Sequence, residues 1–417
     1  MDTKTVVRAG AGIYYVNSDL NPLFRLAAGL PDNLSQTLSG SSFSPQIPSV
    51  NADQVFGTGV VNTSLPPVQQ AGIDINQRTS YSGQWTMTIQ RALQKDTVLE
   101  IGYLGSVGLK LEQNVQPNNA RPGSGPVDPR RPFYGLTYAP GMQFPPYLQV
   151  VGNVVPVGFI NYVPHSAQSN YESMFVRLEK RFSGGFSWLT SYTFSKAITN
   201  APQFRNAGGA SGSENSPPQD SFNLRAERGL AAYDVRHRLV NTYVYDLPFG
   251  VGHRWLTSGP ASWFLGGWQT AGIITLQSGF PFTINVTGDT ANVGAGTGGI
   301  FVRPNAVPGA SWREPSGQST AAHYFNPAAF SIPAAFTFGN IGRNTVIGPG
   351  LVNLDLTMGK SVRLNERLSL QLRGEFFNAL NHPNYSVIGR IINSSTFAQA
   401  LSQLDPRELQ FGAKIIF

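Results

Sequence analysis

An all-β fold of long antiparallel strands is what the 417-residue sequence predicts. Three observations carry that expectation. Apolar and polar residues alternate with period two through runs longer than ordinary globular strands. The connections between those runs are short and long in strict turn. The composition is weakly charged, with 13% Asp, Glu, Lys and Arg, yet only 41% hydrophobic. Charge is replaced by 45 Gly, 30 Pro and uncharged polar residues rather than by a larger core. With 26 Phe, 15 Tyr and 6 Trp, the chain is too aromatic to be disordered. No repeat or shift in composition marks a second domain.

The first strand is expected at about residues 5–16, directly after Met1-Asp2-Thr3-Lys4. Strands at 82–94 and 97–111 follow, joined by the tight link Lys95-Asp96. In the second of these, Leu99, Ile101, Tyr103, Val107, Leu109 and Leu111 share one parity. Val98, Glu100, Gly102, Ser106, Gly108 and Lys110 share the other, as in a strand with one greasy and one polar face. Strands at 168–182 and 184–197 meet at Ser183; in the first, Met174, Val176, Leu178 and Phe182 oppose Ser173, Arg177, Glu179 and Arg181. A medium link, Pro248–Phe264, joins strands at 235–247 and 265–278. Strands at 351–363 and 367–380 turn at Leu364-Asn365-Glu366; in the second, Leu368, Leu370, Leu372 and Phe376 oppose Ser369, Gln371, Arg373 and Glu375. The tenth strand is 407–417. Helical spacing is not sustained; a short helical turn is expected only at Leu401-Ser402-Gln403-Leu404.

Strands of this length suit a membrane span, which takes about 9–11 residues tilted near 45°. The remaining links, 17–81, 112–167, 198–234, 279–350 and 381–406, are long and rich in Gly, Pro, Asn and Ser. Short turns at one end and long loops at the other are the arrangement of outer-membrane barrels, periplasmic and extracellular respectively. The expected fold is therefore an antiparallel outer-membrane β-barrel. A spanning helix is not visible: Trp255–Gly288 carries no charge, but Gly, Pro, Ser, Thr and Gln interrupt it throughout. No apolar leader with a cleavage site is read near Met1.

Several function classes lose support. Cysteine is absent, which removes thiolate metal sites and cysteine nucleophiles. The five His have no metal-ligand spacing, and no carboxylate pair or nucleophile elbow stands out, so no catalytic, metal or cofactor residue is nominated. The net charge of +7 is scattered, with tight groups only at Arg130-Arg131, Lys180-Arg181 and Arg236-His237-Arg238; a nucleic-acid partner is not expected. The stretch Gly294–Gly299 fits GxGxxG, but no helix follows to meet a phosphate, so a loop is expected.

The polar parity supplies the candidate lumen-facing residues: Glu100, Lys110, Arg177, Glu179, Arg181, Asp355, Gln371, Arg373 and Glu375. They would meet a solute or plug, or pair with one another across strands. On this assignment Leu370→Arg should disrupt insertion and Gln371→Arg should not. Aromatics near strand ends, among them Tyr14, Trp85, Trp188, Tyr243 and Trp268, suit the girdles at membrane interfaces. In the last strand Leu409, Phe411, Ala413, Ile415 and Phe417 share one face, and the chain ends on Phe417. A Phe-terminated amphipathic strand resembles the signal by which the barrel-assembly machinery recognises outer-membrane barrels.

A set of short motifs, in order along the chain, carries a wider resemblance. It includes Tyr103-Leu104-Gly105-Ser106, Leu178-Glu179-Lys180-Arg181-Phe182 and Ser191-Tyr192-Thr193-Phe194-Ser195-Lys196. Arg225-Ala226-Glu227-Arg228-Gly229, Asp234-Val235-Arg236-His237-Arg238 and Ser278-Gly279-Phe280-Pro281-Phe282 follow. Then come Phe325-Asn326-Pro327-Ala328-Ala329-Phe330, Gly342-Arg343-Asn344, Phe376-Phe377-Asn378 and Asp405-Pro406-Arg407. Together these resemble the barrel of Oar-like TonB-dependent transporters. The resemblance implies a 22-stranded barrel with an N-terminal plug in the outer membrane of a Gram-negative bacterium, energised through TonB. Only about ten strands and no plug or TonB box are read here. The whole chain, 1–417, is thus expected to be the C-terminal portion of such a barrel, with outer-membrane lipid and the assembly machinery as partners, and TonB only where a plug lies upstream. The alternative is a free-standing small barrel acting as a passive pore, adhesin or surface scaffold. A soluble β-rich binding module is the third reading, which the Phe-terminated strand opposes.

Overall fold

The computed structural model describes residues 4–16, 68–134, 157–201, 218–294, 302–315, 317–365 and 367–417. Ten long strands form one antiparallel sheet. They are β1 (Thr5–Val16), β2 (Ser80–Gln94), β3 (Thr97–Leu111), β4 (Ala167–Ser183) and β5 (Phe186–Thr199). The sheet continues with β6 (His237–Asp246), β7 (Trp268–Gln277), β8 (Leu351–Arg363), β9 (Ser369–Phe377) and β10 (Glu408–Ile416). Each corresponds to one of the ten strands expected from periodicity. Their order in space is their order in the chain, an up-and-down meander. β1 and β10 are the two margins and do not pair with each other, so the sheet is an arc of a barrel and not a closed cylinder. A two-residue strand, Gly229–Leu230, adds to the end of β5.

The register explains how alternation becomes two surfaces. Across eight strands, Val7, Ile89, Ile101, Val176, Tyr192, Leu239, Leu276 and Val352 are successive partners. Partners in an antiparallel pair stand on the same side, so this row is one unbroken apolar stripe. One residue along, the partners are Val6, Gln90, Glu100, Arg177, Ser191, Val240, Thr275 and Asn353, a mostly polar row on the opposite side. The apolar side is not covered: Met87, Ile101, Met174 and Phe411 are all exposed. At about 3.3 Å per residue, the 15 residues of β2 reach roughly 50 Å, enough for a 25 Å apolar band even when tilted. Where a large ring needs room on that side, glycine supplies it. A Cβ on Gly272 would stand 2.6 Å from the ring of its partner Tyr243.

Three boundaries differ from expectation. β7 starts at Trp268, because 260–265 forms a short helix, α1 (Pro260–Leu265), with proline in its first turn. β9 stops at Phe377, because Asn378 adopts a positive φ of 45° and turns the chain away. Residues 400–403 extend as a strand against Tyr385–Ile388 instead of making a helical turn. Gln403 pairs with Tyr385 and Ala400 with Ile388, so the backbone groups of this segment serve a ladder and not a helical turn.

The buried core lies outside the sheet. Phe282, Ile284, Phe325, Phe330, Ile341, Val346, Ile388 and Ala398 pack together among the long connections. Those connections all leave the sheet at the end opposite the tight turns.

Candidate solute-facing surface and loop body

The register brings Glu100, Arg177, Glu179, Arg181, Asp355, Gln371, Arg373 and Glu375 to one face of the sheet. Their charges pair along strands rather than across them. Arg177 meets Glu179 at 2.8 Å, and Arg373 meets Glu375 at 2.5 Å, each two residues away on its own strand. Glu100 stands opposite Arg177 in register, and Gln371 opposite Lys414. Arg177, Glu179 and Arg181 line an open concavity of about 260 Å³ with Ser187, Leu189 and Thr242.

Two candidates occupy other settings. Asp355 accepts the backbone N–H of Asn378 at 3.0 Å, which fastens the turn at the end of β9. Lys110 has a positive φ of 53°, and its ammonium lies 5.0 Å from the ring centre of Tyr81. Tyr81 pairs with Tyr15 and Leu109 on the apolar side, so the backbone twist carries this lysine off the face that parity assigned. In β10, Leu409, Phe411 and Ile415 pair with Phe376, Gly374 and Leu370 on the apolar side. The Phe411 and Phe376 rings meet edge to face at 6.1 Å, and Phe417 is almost fully exposed.

The long connections build a second feature that periodicity does not reveal. Arg303 donates to both carboxylate oxygens of Glu227, at 2.8 and 3.0 Å, with both side chains about 95% buried. Glu227 also accepts the backbone N–H of Gln219 at 3.2 Å, and Gln219 accepts that of Arg303 at 2.6 Å. Arg343 Nε donates to the Glu227 carbonyl at 3.0 Å and its Nη2 reaches the Thr199 carbonyl at the end of β5. Asn344 and Thr283 bond side chain to side chain at 2.8 Å. Arg390 meets the Asn285 side chain, and burial lowers the pKa of its guanidinium. Asp234, buried beside β5, accepts the Ala197 N–H at 2.5 Å; burial raises its carboxyl above the usual range. A further link ties 112–134 to the same body: Arg130 donates to Asn292 O at 2.5 Å, and Asn292 Nδ2 to Gly123 O at 2.8 Å.

The described parts of the long connections are therefore one packed, hydrogen-bonded body seated on the long-loop end of a two-faced sheet. Among the described residues no group of three or more His, Cys, Asp or Glu is placed to hold a metal, and no helix is long and apolar enough to cross a membrane. Of the GxGxxG stretch, Gly294 has a φ of +69° and ends a turn, while 295–299 lie outside the described residues.

A meandering arc of long strands, with one apolar and one polar face, tight turns at one end and loops at the other, is the architecture of an outer-membrane barrel. The chain belongs to the outer membrane beta barrel domain family, whose profile matches residues 1–410. Among solved structures it is similar to the outer membrane transporter YddB from Escherichia coli, at 9% identity and a TM-score of 0.46, over 100% of this chain and 39% of that one. It is also similar to the ferric-catecholate import receptor Fiu from E. coli K12, at 10% identity and a TM-score of 0.37, over 99% and 33%. The FrpB iron transporter from Neisseria meningitidis matches at 9% identity and a TM-score of 0.34, over 84% and 33%. The chain thus spans between a quarter and two fifths of the length of the structures it matches. No curated protein sequence matches.

Proposed function

We propose that this chain is the C-terminal portion of an Oar-like TonB-dependent transporter barrel, through which an outer-membrane substrate passes. The observation that carries the reading is the pair of adjacent rows, one apolar across eight strands and one polar. The apolar row meets lipid; the polar face, with Arg177, Glu179, Arg373 and Glu375, meets water and solute. The Oar-like motifs support the finer assignment, because Glu227, Asp234, Phe282, Phe325 and Arg343 within them are the joints of the loop body. The barrel-assembly machinery engages β10 by its Leu409, Phe411, Ile415 and Phe417 face. TonB acts only through a plug, so this sector by itself is not a gated transporter, and no enzymatic step is assigned to it. The margins of the arc argue against a free-standing ten-stranded pore, since β1 and β10 remain apart.

The test is reconstitution of the chain in proteoliposomes. Insertion into the vesicles, without heat-modifiable gel mobility and without TonB-dependent solute uptake, is the expected result; heat-modifiable mobility would favour the free-standing barrel. Energised uptake by this chain alone, or recovery of the protein in the soluble fraction, would overturn the proposal.

A further inference from the structure

The link between β6 and β7 stands at the tight-turn end of the sheet, yet it is not a tight turn. It carries α1, whose Trp263, Phe264 and Leu265 are 59%, 64% and 49% exposed, and beside it Val251 is 84% exposed. So many large apolar side chains on one exposed link mark an interaction surface. Two side chains fix where that surface lies. Lys360 Nζ donates to the carbonyls of Trp263 and Phe264 at 2.7 and 2.6 Å, and Trp268 Nε1 donates to Phe264 O at 2.9 Å. Lys360 and Trp268 are register partners, and Lys360 also pairs with Leu372, so both stand on the apolar side of the sheet. The helix is consequently tied to the rim of the apolar face and not to the polar face.

The fixings are tight. Lys360 is 8% exposed, with its ammonium 5.7 Å from the Trp263 ring and 5.4 Å from the Trp268 ring. Gly250 and Gly266 cross at backbone contact: a Cβ on Gly266 would stand 2.8 Å from Gly250 Cα. The link holds no acidic residue, and Arg254 is its only full charge, stacked 5.4 Å over Trp255. An aromatic, acid-free knob with one cation, continuous with an apolar sheet face, fits the boundary between lipid headgroups and acyl chains.

We infer that the β6–β7 link is a membrane-surface anchor, with α1 lying in the phospholipid interface at the tight-turn rim and Trp263, Phe264 and Leu265 inserted among the lipids. Lys360 fixes α1 at that rim, its Nζ donating to two helix carbonyls and facing two indole rings. The inference rests on the reading of the sheet as membrane-spanning.

Fluorescence quenching separates the two. The full chain is refolded into phosphatidylcholine vesicles carrying bromine either near the headgroup or near the bilayer centre. Trp263→Phe and Trp188→Phe each remove one contribution from the total emission. The expected result is that Trp263→Phe loses a component quenched more by shallow than by deep bromine, and that Trp188→Phe loses a quenched component of the apolar face. If the Trp188 component is quenched and the Trp263 component is not, the sheet is in the membrane and α1 stands in water, which overturns the anchor. If neither component is quenched, the membrane reading fails and the anchor fails with it.

Discussion

Glu227 and Arg303 are 76 residues apart in the chain, and they meet in a two-pronged ion pair from which water is almost wholly excluded. Breaking a buried pair by removing one partner leaves an uncompensated charge and costs about 3–5 kcal/mol. Glu227→Gln is therefore expected to loosen the loop body while leaving the ten-stranded sheet intact. Limited proteolysis checks this: new cleavage within 218–234 and 302–347 is expected, with unchanged insertion into vesicles. Replacing both residues by leucine should protect the loops better than the single change.

Adjacent residues of β2 test the two faces. Leu370 stands second in β9, beside the tight turn, so a charge there meets the interface rather than the middle of the band. Met87 and Thr86 lie near the centre of β2, Met87 opposite Ala9 and Tyr103, Thr86 opposite Gly10 and Leu104. A lysine at the lipid midplane costs about 2–4 kcal/mol. Met87→Lys should impair refolding into vesicles by that order, and Thr86→Lys should be tolerated. Equal folding yields would refute the assignment of faces.

Burial holds the Tyr324 phenol at about 12, above its usual 10.0, beside the Phe325 core. A raised folded value means that the folded state favours the proton. The stabilising contribution is complete below pH 10 and is lost as pH rises towards 12. Phenolate absorbance should show one tyrosine ionising together with melting of the loop body. Tyr324→Phe should remove that alkaline step.

At the opposite end, the Lys180 ammonium donates to the Asp96 carboxylate at 2.5 Å and holds its pKa at about 2. The depressed value reverses the direction of the pH effect. The stabilising contribution is present above the unfolded value of 3.8 and is lost as pH falls towards 2. Asp96→Asn should flatten the acid limb of a stability-versus-pH curve for the β2–β3 and β4–β5 hairpins. An unaltered limb would show that the contact contributes nothing.

The strands were legible in the sequence because their signal is local. Alternation places Leu99, Ile101 and Tyr103 on one side whatever the rest of the chain does, and Lys95-Asp96 is a two-residue link between strands adjacent in the chain. The same rule misplaced Lys110, where a positive φ overrides parity, and extended β7 back through 265, where a proline-started helix intervenes. The loop body was not legible as a body. Its joints lie far apart: Arg343 meets Glu227 across 116 residues and Arg390 meets Asn285 across 105. No period connects such residues, and only the motif resemblance marked Glu227, Phe325 and Arg343 as worth attention. Asp355 shows the limit of face assignment by itself, since its carboxylate is taken up by the Asn378 N–H.

Because each of the ten long strands pairs with no long strand other than the one before and the one after it, the sheet is divisible by hairpins. Closing a tight turn costs little chain entropy, whereas each long connection costs an amount that grows only with the logarithm of its length. The β2–β3, β4–β5 and β8–β9 hairpins are therefore self-contained modules, and the long loops bear the cost of joining them. An architecture wired this way lengthens or shortens at either margin without rethreading a single inner strand. A sector of ten strands and a wider cylinder are then products of the same assembly rule, differing in how many modules have been added.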